Sequence, residues 1–407
     1  MTKIPIVLSD SNVLLCGLAF TSRTETVEDY LKDKVKSLTV IALSSCFLKE
    51  RLSSCRVYES GRLVNKFQLP AFLLKDYKWY RQPLVLAVFL VYFAAICQAL
   101  IRVKKKHDLY IGISHSFGLW GAIFKKLGWV KHLIYYCIDY YEPSKKREFN
   151  TIFVKMINFI DRFTVKNADI VWDLSEKIPV KREELGKIKI GTYKETVVPL
   201  GYSRHMRQFK DFGQINRWQI GFVGSVSENQ GLQLLVEAMP EILARLPEIN
   251  VTIIGQGPYL AELKNMVAAK GLNDKFTFYG FVQEEGRMLD ILSGCAIGVA
   301  LYTPAEGSNA ACADTGKPKL YAFLGLPIIT TTAYSRKDEV SSNKAGMVIA
   351  YESTALADAV CDLLSDESRL KSFKDNSYRF GEGFVSDKIF DAAVQKMEMG
   401  ENGLRHN

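Results

Sequence analysis

The chain has 407 residues, enough for two domains of ordinary size, each with a core of its own. Its composition, 48% hydrophobic and 24% charged with no low-complexity tract, excludes a disordered chain outside the ends, and its eight scattered cysteines form no C-x-x-C pair or His/Cys cluster, which excludes a disulfide framework or zinc module. The net charge of +9 is uneven: residues 1–200 hold 32 Lys/Arg against 19 Asp/Glu, and residues 201–407 hold 21 against 25, so a basic half precedes a slightly acidic one.

In chain order, the apolar run after Lys3 stops at Ser9-Asp10-Ser11-Asn12, so no secretory signal is indicated and a cytoplasmic location is expected. Apolar strands are predicted at Ile4 to Ser9 and Ser37 to Ser44. Next comes PLVLAVFLVYFAAICQALI, residues 83–101, nineteen residues without a charge, followed by Arg102-Val103-Lys104-Lys105-Lys106. That length is at the lower margin for a membrane span. The segment runs directly into a strand pattern at Leu109 to Ser114, with no room for a lumenal loop, so the favoured expectation is a buried or membrane-touching helix, with a crossing left open. Lys104 to Lys106, Lys125, Lys126 and the Trp79-Tyr80 pair suit an anionic membrane surface. No nucleic-acid recognition motif is present, so the membrane is the expected partner of the basic half; the plain alternative is a solvated surface. Further strands are predicted at His132 to Ile138, Ile170 to Leu174 and Thr196 to Leu200, separated by helical stretches. Strands alternating with helices predict a parallel, doubly wound sheet for residues 1–200. Residues 201–218 are polar and charged, as expected of a linker.

The theme repeats in residues 219–377. Strands are predicted at Gln219 to Val223, Asn250 to Ile254, Phe276 to Tyr279, Ala296 to Leu301 and Pro327 to Thr331. Helices are predicted at Leu232 to Leu246, Tyr259 to Ala269, Glu284 to Leu292, Pro318 to Leu324 and Ser353 to Leu364. The fold class is therefore α/β, two Rossmann-like domains facing a central cleft. The turn Gly255-Gln256-Gly257-Pro258 starts like a dinucleotide fingerprint but lacks its third glycine, and Pro258 at a helix start explains it structurally.

The polar loop between Ala296–Leu301 and the helix ending at Gly325 holds Glu306, Gly307, Asp314, Lys317 and Lys319. Ligands of open α/β sheets sit beyond the carboxyl ends of strands and at helix N-termini. Two carboxylates around a Gly-containing turn suit sugar hydroxyls, and a lysine near a helix start suits phosphate, so a nucleotide-sugar site is expected here. Solvated helix-end lysines are the plain alternative for Lys317 and Lys319. Gly224 and Ser225 follow the first strand of the second domain. In the first domain, His115 and Asp139 each end a strand; the first competes with an ordinary loop histidine, the second with a helix cap.

The series IGFVGSVSENQGLQLLVEAM, VTIIGQGP, FTFYGFV and CAIGVALYTPAEGSNAACADTGKPKLYAFLGLPIITT resembles, in order and spacing, the nucleotide-sugar half of GT-B glycosyltransferases, particularly retaining family 4. HDLYIGISHSFGLWGAIFKKLG with HLIYYCIDYYEP, NADIVWDLS and TVVPLGYS resembles the acceptor-side half more weakly. The resemblance implies transfer of a sugar from a nucleotide-diphosphate donor to a lipid-linked or glycan acceptor, in glycan or polysaccharide biosynthesis. It implies retention, no cofactor and no metal, on the inner face of a membrane. Glu306 would contact the donor sugar, Asp314 the ribose, and Gly224, Ser225 and Lys317 the diphosphate, with Lys319 as the other available cation. Asp139 and His115 would act on the acceptor side. Glu306 and Asp314 keep the family's interval of seven intervening residues, whereas counting back from Gly325 places the second acid at Leu320. The family's diphosphate-bracketing arginine and lysine are here Ser225 and Gln230, so a non-catalytic scaffold of a glycan-assembly complex is the alternative. Residues 378–407 are expected to form a helix returning to the first domain, then a tail.

Overall fold

The computed structural model describes residues 7–19, 22–44, 53–70, 84–141, 148–304 and 316–399. The chain divides into two compact units: Met1–Leu200 with Ile389–Asn407, and Gly201–Lys388.

The first unit is an eight-stranded sheet of order β4-β3-β2-β1-β5-β6-β7-β8. Strands β1 (Asn12–Leu18), β2 (Ser37–Leu43), β5 (Leu109–Ile113), β6 (His132–Cys137), β7 (Ile170–Asp173) and β8 (Glu195–Val197) are parallel. The hairpin β3 (Ser54–Glu59) and β4 (Arg62–Gln68) adds two antiparallel strands at one edge. Buried on both faces, the central parallel strands are nearly continuous apolar runs, and successive residues serve opposite cores. Leu14 and Cys16 of β1 face helices α2 (Leu84–Val103), α3 (His115–Lys126) and α4 (Glu148–Asn167). Val13 and Leu15 face α1 (Ser22–Leu31), α5 (Lys177–Gly186) and the last helix of the chain.

Three expectations change here. The first strand among the described residues is Asn12–Leu18; of the expected strand Ile4 to Ser9, Val7 is extended, residues 8–9 belong to a 3-10 turn over 8–10, and residues 4–6 lie outside the described residues. Both stretches are apolar, and only pairing with β2 and β5 (Val13 opposite Leu38 and Leu109) distinguishes them. The 54–68 hairpin was not expected, because its outer strand alternates weakly and is exposed almost throughout. The apolar segment 83–101 is α2, which buries Val88, Phe89, Tyr92, Ala95, Ile96 and Ala99 in the first unit. Among the described residues no helix is long and apolar enough to cross a membrane. Trp79 and Tyr80 lie outside the described residues.

The second unit is a six-stranded, wholly parallel sheet of order β11-β10-β9-β12-β13-β14. Its strands are β9 (Asn216–Val223), β10 (Asn250–Ile254), β11 (Phe276–Gly280), β12 (Cys295–Ala300), β13 (Ile328–Thr331) and β14 (Gly346–Ile349). Helices α6 (Leu232–Arg245), α7 (Leu260–Ala269) and α11 (Ser353–Ser365) cover one face. On the other lie α8 (Glu285–Ser293), α9 (Gly316–Leu324) and α10 (Lys337–Ser342). With β9 as first strand the order is that of the doubly wound dinucleotide fold, and it reverses between β9 and β12. The single helix expected from Tyr378 to Met399 is instead two, α12 (Glu367–Gly381) and α13 (Ser386–Met399), separated by a 3-10 turn. Gly381 lies so close to the carbonyl of Ala322 that a Cβ would collide with it, which lets α12 press on α9; the backbone stays helical there and becomes extended at Val385 (φ −74°, ψ 123°).

Candidate functional site

In the second unit the strand order reverses between β9 and β12, the point at which such sheets have their ligand crevice, beyond the carboxyl ends of the strands. Tyr321 of α9 spans the divergence: its fully buried hydroxyl accepts from Val223 N (3.3 Å) and donates to Val299 O (3.0 Å). The loop after β9 is pressed into a narrow space. Gly224 has φ 134°, and a Cβ on it would stand 3.2 Å from the Lys317 Nζ. Gly255, φ 143°, faces the Gly224 carbonyl where any Cβ would clash. The Gly255-Gln256-Gly257 turn thus serves the close approach of two backbones, with Gly224 N donating to Ile254 O and Val226 N to Gln256 O, both at 2.9 Å.

Lys317 enters this crevice from the first turn of α9. Its half-buried ammonium donates to Oε1 of Gln230 and lies 5.4 Å from the ring centres of both Phe222 and Tyr302. Burial pushes it down from the usual lysine range to about 8. Among the described residues its contacts are a neutral amide and two aromatic faces and include no carboxylate, an arrangement that suits an anionic ligand. Ser225 is exposed beside it on the same loop. Lys319, two residues further along the helix, projects from a different side: it is fully buried, with its ammonium 5.6 Å from the Phe384 ring. Leu320, the other position considered for the second acid, belongs to the apolar core. Glu306, Gly307 and Asp314 lie outside the described residues. Gln230 stands out in the sequence only as the uncharged residue at the place of the family's lysine, and Tyr321 not at all; their contacts appear only when β9 and α9 come together.

In the first unit, His115 and Asp139 follow the neighbouring strands β5 and β6, and Ser114 N donates to Tyr136 O at 2.8 Å. Asp139 is exposed. His115 is 4% exposed, with its ring among Tyr135, Tyr140 and Tyr141 and its Nε2 3.9 Å from Asp161 Oδ1. Burial, with help from nearby Arg182, lowers its pKa, so it is neutral at pH 7. Ser114, at φ 79° and ψ 163°, holds an unusual conformation for a residue with a side chain, at the turn that sets His115.

Behind His115 is a fully buried ion network. Arg182 donates to Asp161 Oδ2 (2.8 Å) and to both oxygens of Asp173 (2.7 and 2.8 Å), and Tyr135 donates to Asp161 Oδ1 (2.9 Å). Burial pushes Asp173 up to about 6 against the opposing pull of Arg182. Among the described residues, His115, Cys137 and Asp161 are the one group with metal-ligand donors within 4.8 Å of one another. Both Asp161 oxygens are already engaged, and a guanidinium stands beside them, so these residues do not fit a divalent ion.

Residues 217–366 match the family described as glycosyl transferases group 1. The chain is 28% identical over 144 residues to the GDP-mannose-dependent α-(1-6)-phosphatidylinositol monomannoside mannosyltransferase of Mycobacterium tuberculosis, 34% of this chain and 36% of that protein. It is 33% identical over 125 residues to the 2-deoxystreptamine glucosyltransferase of Streptomyces kanamyceticus, 26% of this chain and 32% of that protein. The chain therefore spans about a third of the length of the curated relatives it matches. Two solved structures agree over nearly all of it: HepE of Anabaena in complex with UDP (TM-score 0.60, 14% identity, 95% of this chain and 100% of that one) and sucrose-phosphate synthase from Thermosynechococcus elongatus (TM-score 0.64, 14% identity, 96% and 100%). At such identity these show the fold alone. Residues 217–366 therefore resemble the glycosyl transferases group 1 family, and the chain has the GT-B fold.

Proposed function

We propose that this protein is a glycosyltransferase that moves a sugar from a nucleotide-diphosphate donor to a lipid-linked or glycan acceptor, with retention at the anomeric carbon and without a metal. The observation that carries the reading is the β9–β12 reversal, where Gly224, Gln230 and Lys317 put a cation with no carboxylate partner among the described residues against a backbone turn. The family match over 217–366 and the relatives acting on GDP-mannose or aminocyclitol acceptors support it.

In this reading the diphosphate lies on the Gly224–Ser225 turn with Lys317 against its oxygens. As the bond from the anomeric carbon to the diphosphate breaks, charge grows on the departing oxygen, and the Lys317 ammonium stabilises it as a divalent ion would. Glu306 holds the donor sugar and Asp314 the ribose or adjacent hydroxyls. Asp139 binds the acceptor hydroxyl and receives its proton as the new glycosidic bond forms. His115, buried and neutral, supports that edge from behind and does not meet solvent itself.

The test is a donor screen with UDP- and GDP-sugars, scoring nucleoside diphosphate release with membrane lipid extract as acceptor. Transfer from one donor class, abolished in Glu306→Ala with unchanged thermal unfolding, is the expected result. Failure to bind any nucleotide sugar would favour the scaffold reading, and full activity of Glu306→Ala would remove that residue from the mechanism.

A further inference from the structure

We propose that the outer face of the α2–α3–α4 layer in the first unit is a docking surface for an anionic lipid bilayer. The three helices pack side by side on one face of the sheet, with Phe93 of α2 against Trp120 and Phe124 of α3, and Lys126 of α3 over the Phe163 ring of α4. Their inward faces fill the core. Their outward faces also carry large apolar side chains, which a helix facing water ordinarily lacks. Leu90 and Ile101 stand three turns apart on α2, Leu127 and Trp129 end α3, and Phe159 is on α4; each is more than half exposed, Ile101 by 71% and Phe159 by 69%.

Charge complementarity selects the occupant. Helices α2, α3 and α4 carry six Lys/Arg against two Asp/Glu, one of which is Asp161, fully buried and bonded to Arg182; of the six, Lys125 is paired at 2.6 Å with Asp169, just past α4. Exposed Lys104 and Lys106 extend the cationic rim past α2. The helices on the other face of the same sheet, α1, α5 and α13, carry six against eight. A face that combines separate apolar anchors with lysines and almost no acid matches the boundary of an anionic bilayer, where rings enter the acyl edge and ammonium groups meet phosphates. A second copy of the chain would bring two cationic faces together and is disfavoured by repulsion. The surface is independent of the transfer reading, because docking requires neither donor nor acceptor.

The full chain is sedimented with vesicles of phosphatidylcholine alone and of phosphatidylcholine with phosphatidylglycerol, at low and high salt. Binding to the anionic vesicles, weakened by salt, is expected. The triple variant Lys126→Glu, Lys155→Glu, Lys166→Glu should partition about 100-fold more weakly. The same charge change on the other side of the unit, Lys187→Glu, Lys189→Glu, Lys396→Glu, should lose much less. The apolar pair Trp129→Ser, Phe159→Ser supplies a second variant with the charge intact, and should also release the protein. In the wild type, brominated lipids should quench the emission that Trp129→Phe removes. No binding by the wild type, equal loss in both lysine triples, or Trp129 emission untouched by brominated lipid would each overturn the proposal. So would a concentration-dependent dimer dispersed by the apolar pair in the absence of vesicle binding.

Discussion

Each unit ends a parallel sheet with a buried or half-buried cation near the carboxyl ends of its strands, and the two use it differently. In the first unit Arg182 is consumed by the fold, held between the carboxylates of Asp161 and Asp173 with no exposure to solvent. In the second, Lys317 leans on a neutral amide and two aromatic rings, which orient it without cancelling its charge. A cation matched by carboxylates stabilises a structure; a cation matched by dipoles remains available to a ligand.

That contrast can be broken at either end. The largest effect is expected at Arg182: Arg182→Leu leaves two buried carboxylates without their partner and should cost about 3–5 kcal/mol in chemical denaturation. Replacing all three ionic groups with apolar residues should recover much of that loss. Lys317→Ala should leave unfolding nearly unchanged while weakening nucleotide-sugar binding by roughly 1.5–3 kcal/mol, about 10- to 100-fold, measured by calorimetry. A comparable loss of stability in this variant would make Lys317 another structural cation.

The depressed pKa of Lys317 sharpens the comparison through pH. With the folded group at about 8, donor affinity should be level below that value and fall as the ammonium deprotonates, by up to tenfold per pH unit. The stability effect has the opposite sign. Between about 8 and the unfolded lysine value near 10.4 the unfolded chain binds more protons, so this group's contribution to stability rises with pH. A donor affinity that declines equally in Lys317→Ala would assign the pH dependence elsewhere. The smallest effect is expected for Gln230→Leu, which frees the ammonium from its orienting amide and should raise the donor dissociation constant by about 5-fold.

The sheets were legible because parallel strands buried on both faces are short continuous apolar runs between turn residues. Asn250–Ile254 stands where its pattern placed it, and Leu109–Ile113 and His132–Cys137 each end one residue early. The edge was not legible. Arg56 of β3 and Lys66 of β4 look like loop residues until Arg56 Nε is seen donating to Glu28 Oε1 at 2.6 Å, a partner 28 residues away. The break at Val385 is similarly hidden, since the segment is locally helical on both sides and its partner, Tyr202, whose carbonyl accepts from Ser386 N at 2.9 Å, lies far away in sequence. Gly224 was legible as a turn, whereas its opposition to Lys317 was not.

Local pattern and chain order therefore determined the class of the fold, the position of the glycine turn after β9 and the basic character of the first unit. Those depend on burial periodicity, backbone freedom at glycine and simple charge count, all properties of short segments. Which cations are neutralised, which lysine of α9 enters the crevice, and which face of an apolar helix stays exposed were decided by tertiary structure alone. Each depends on the partner that another segment brings within hydrogen-bonding or packing distance, and no local stretch encodes that distance.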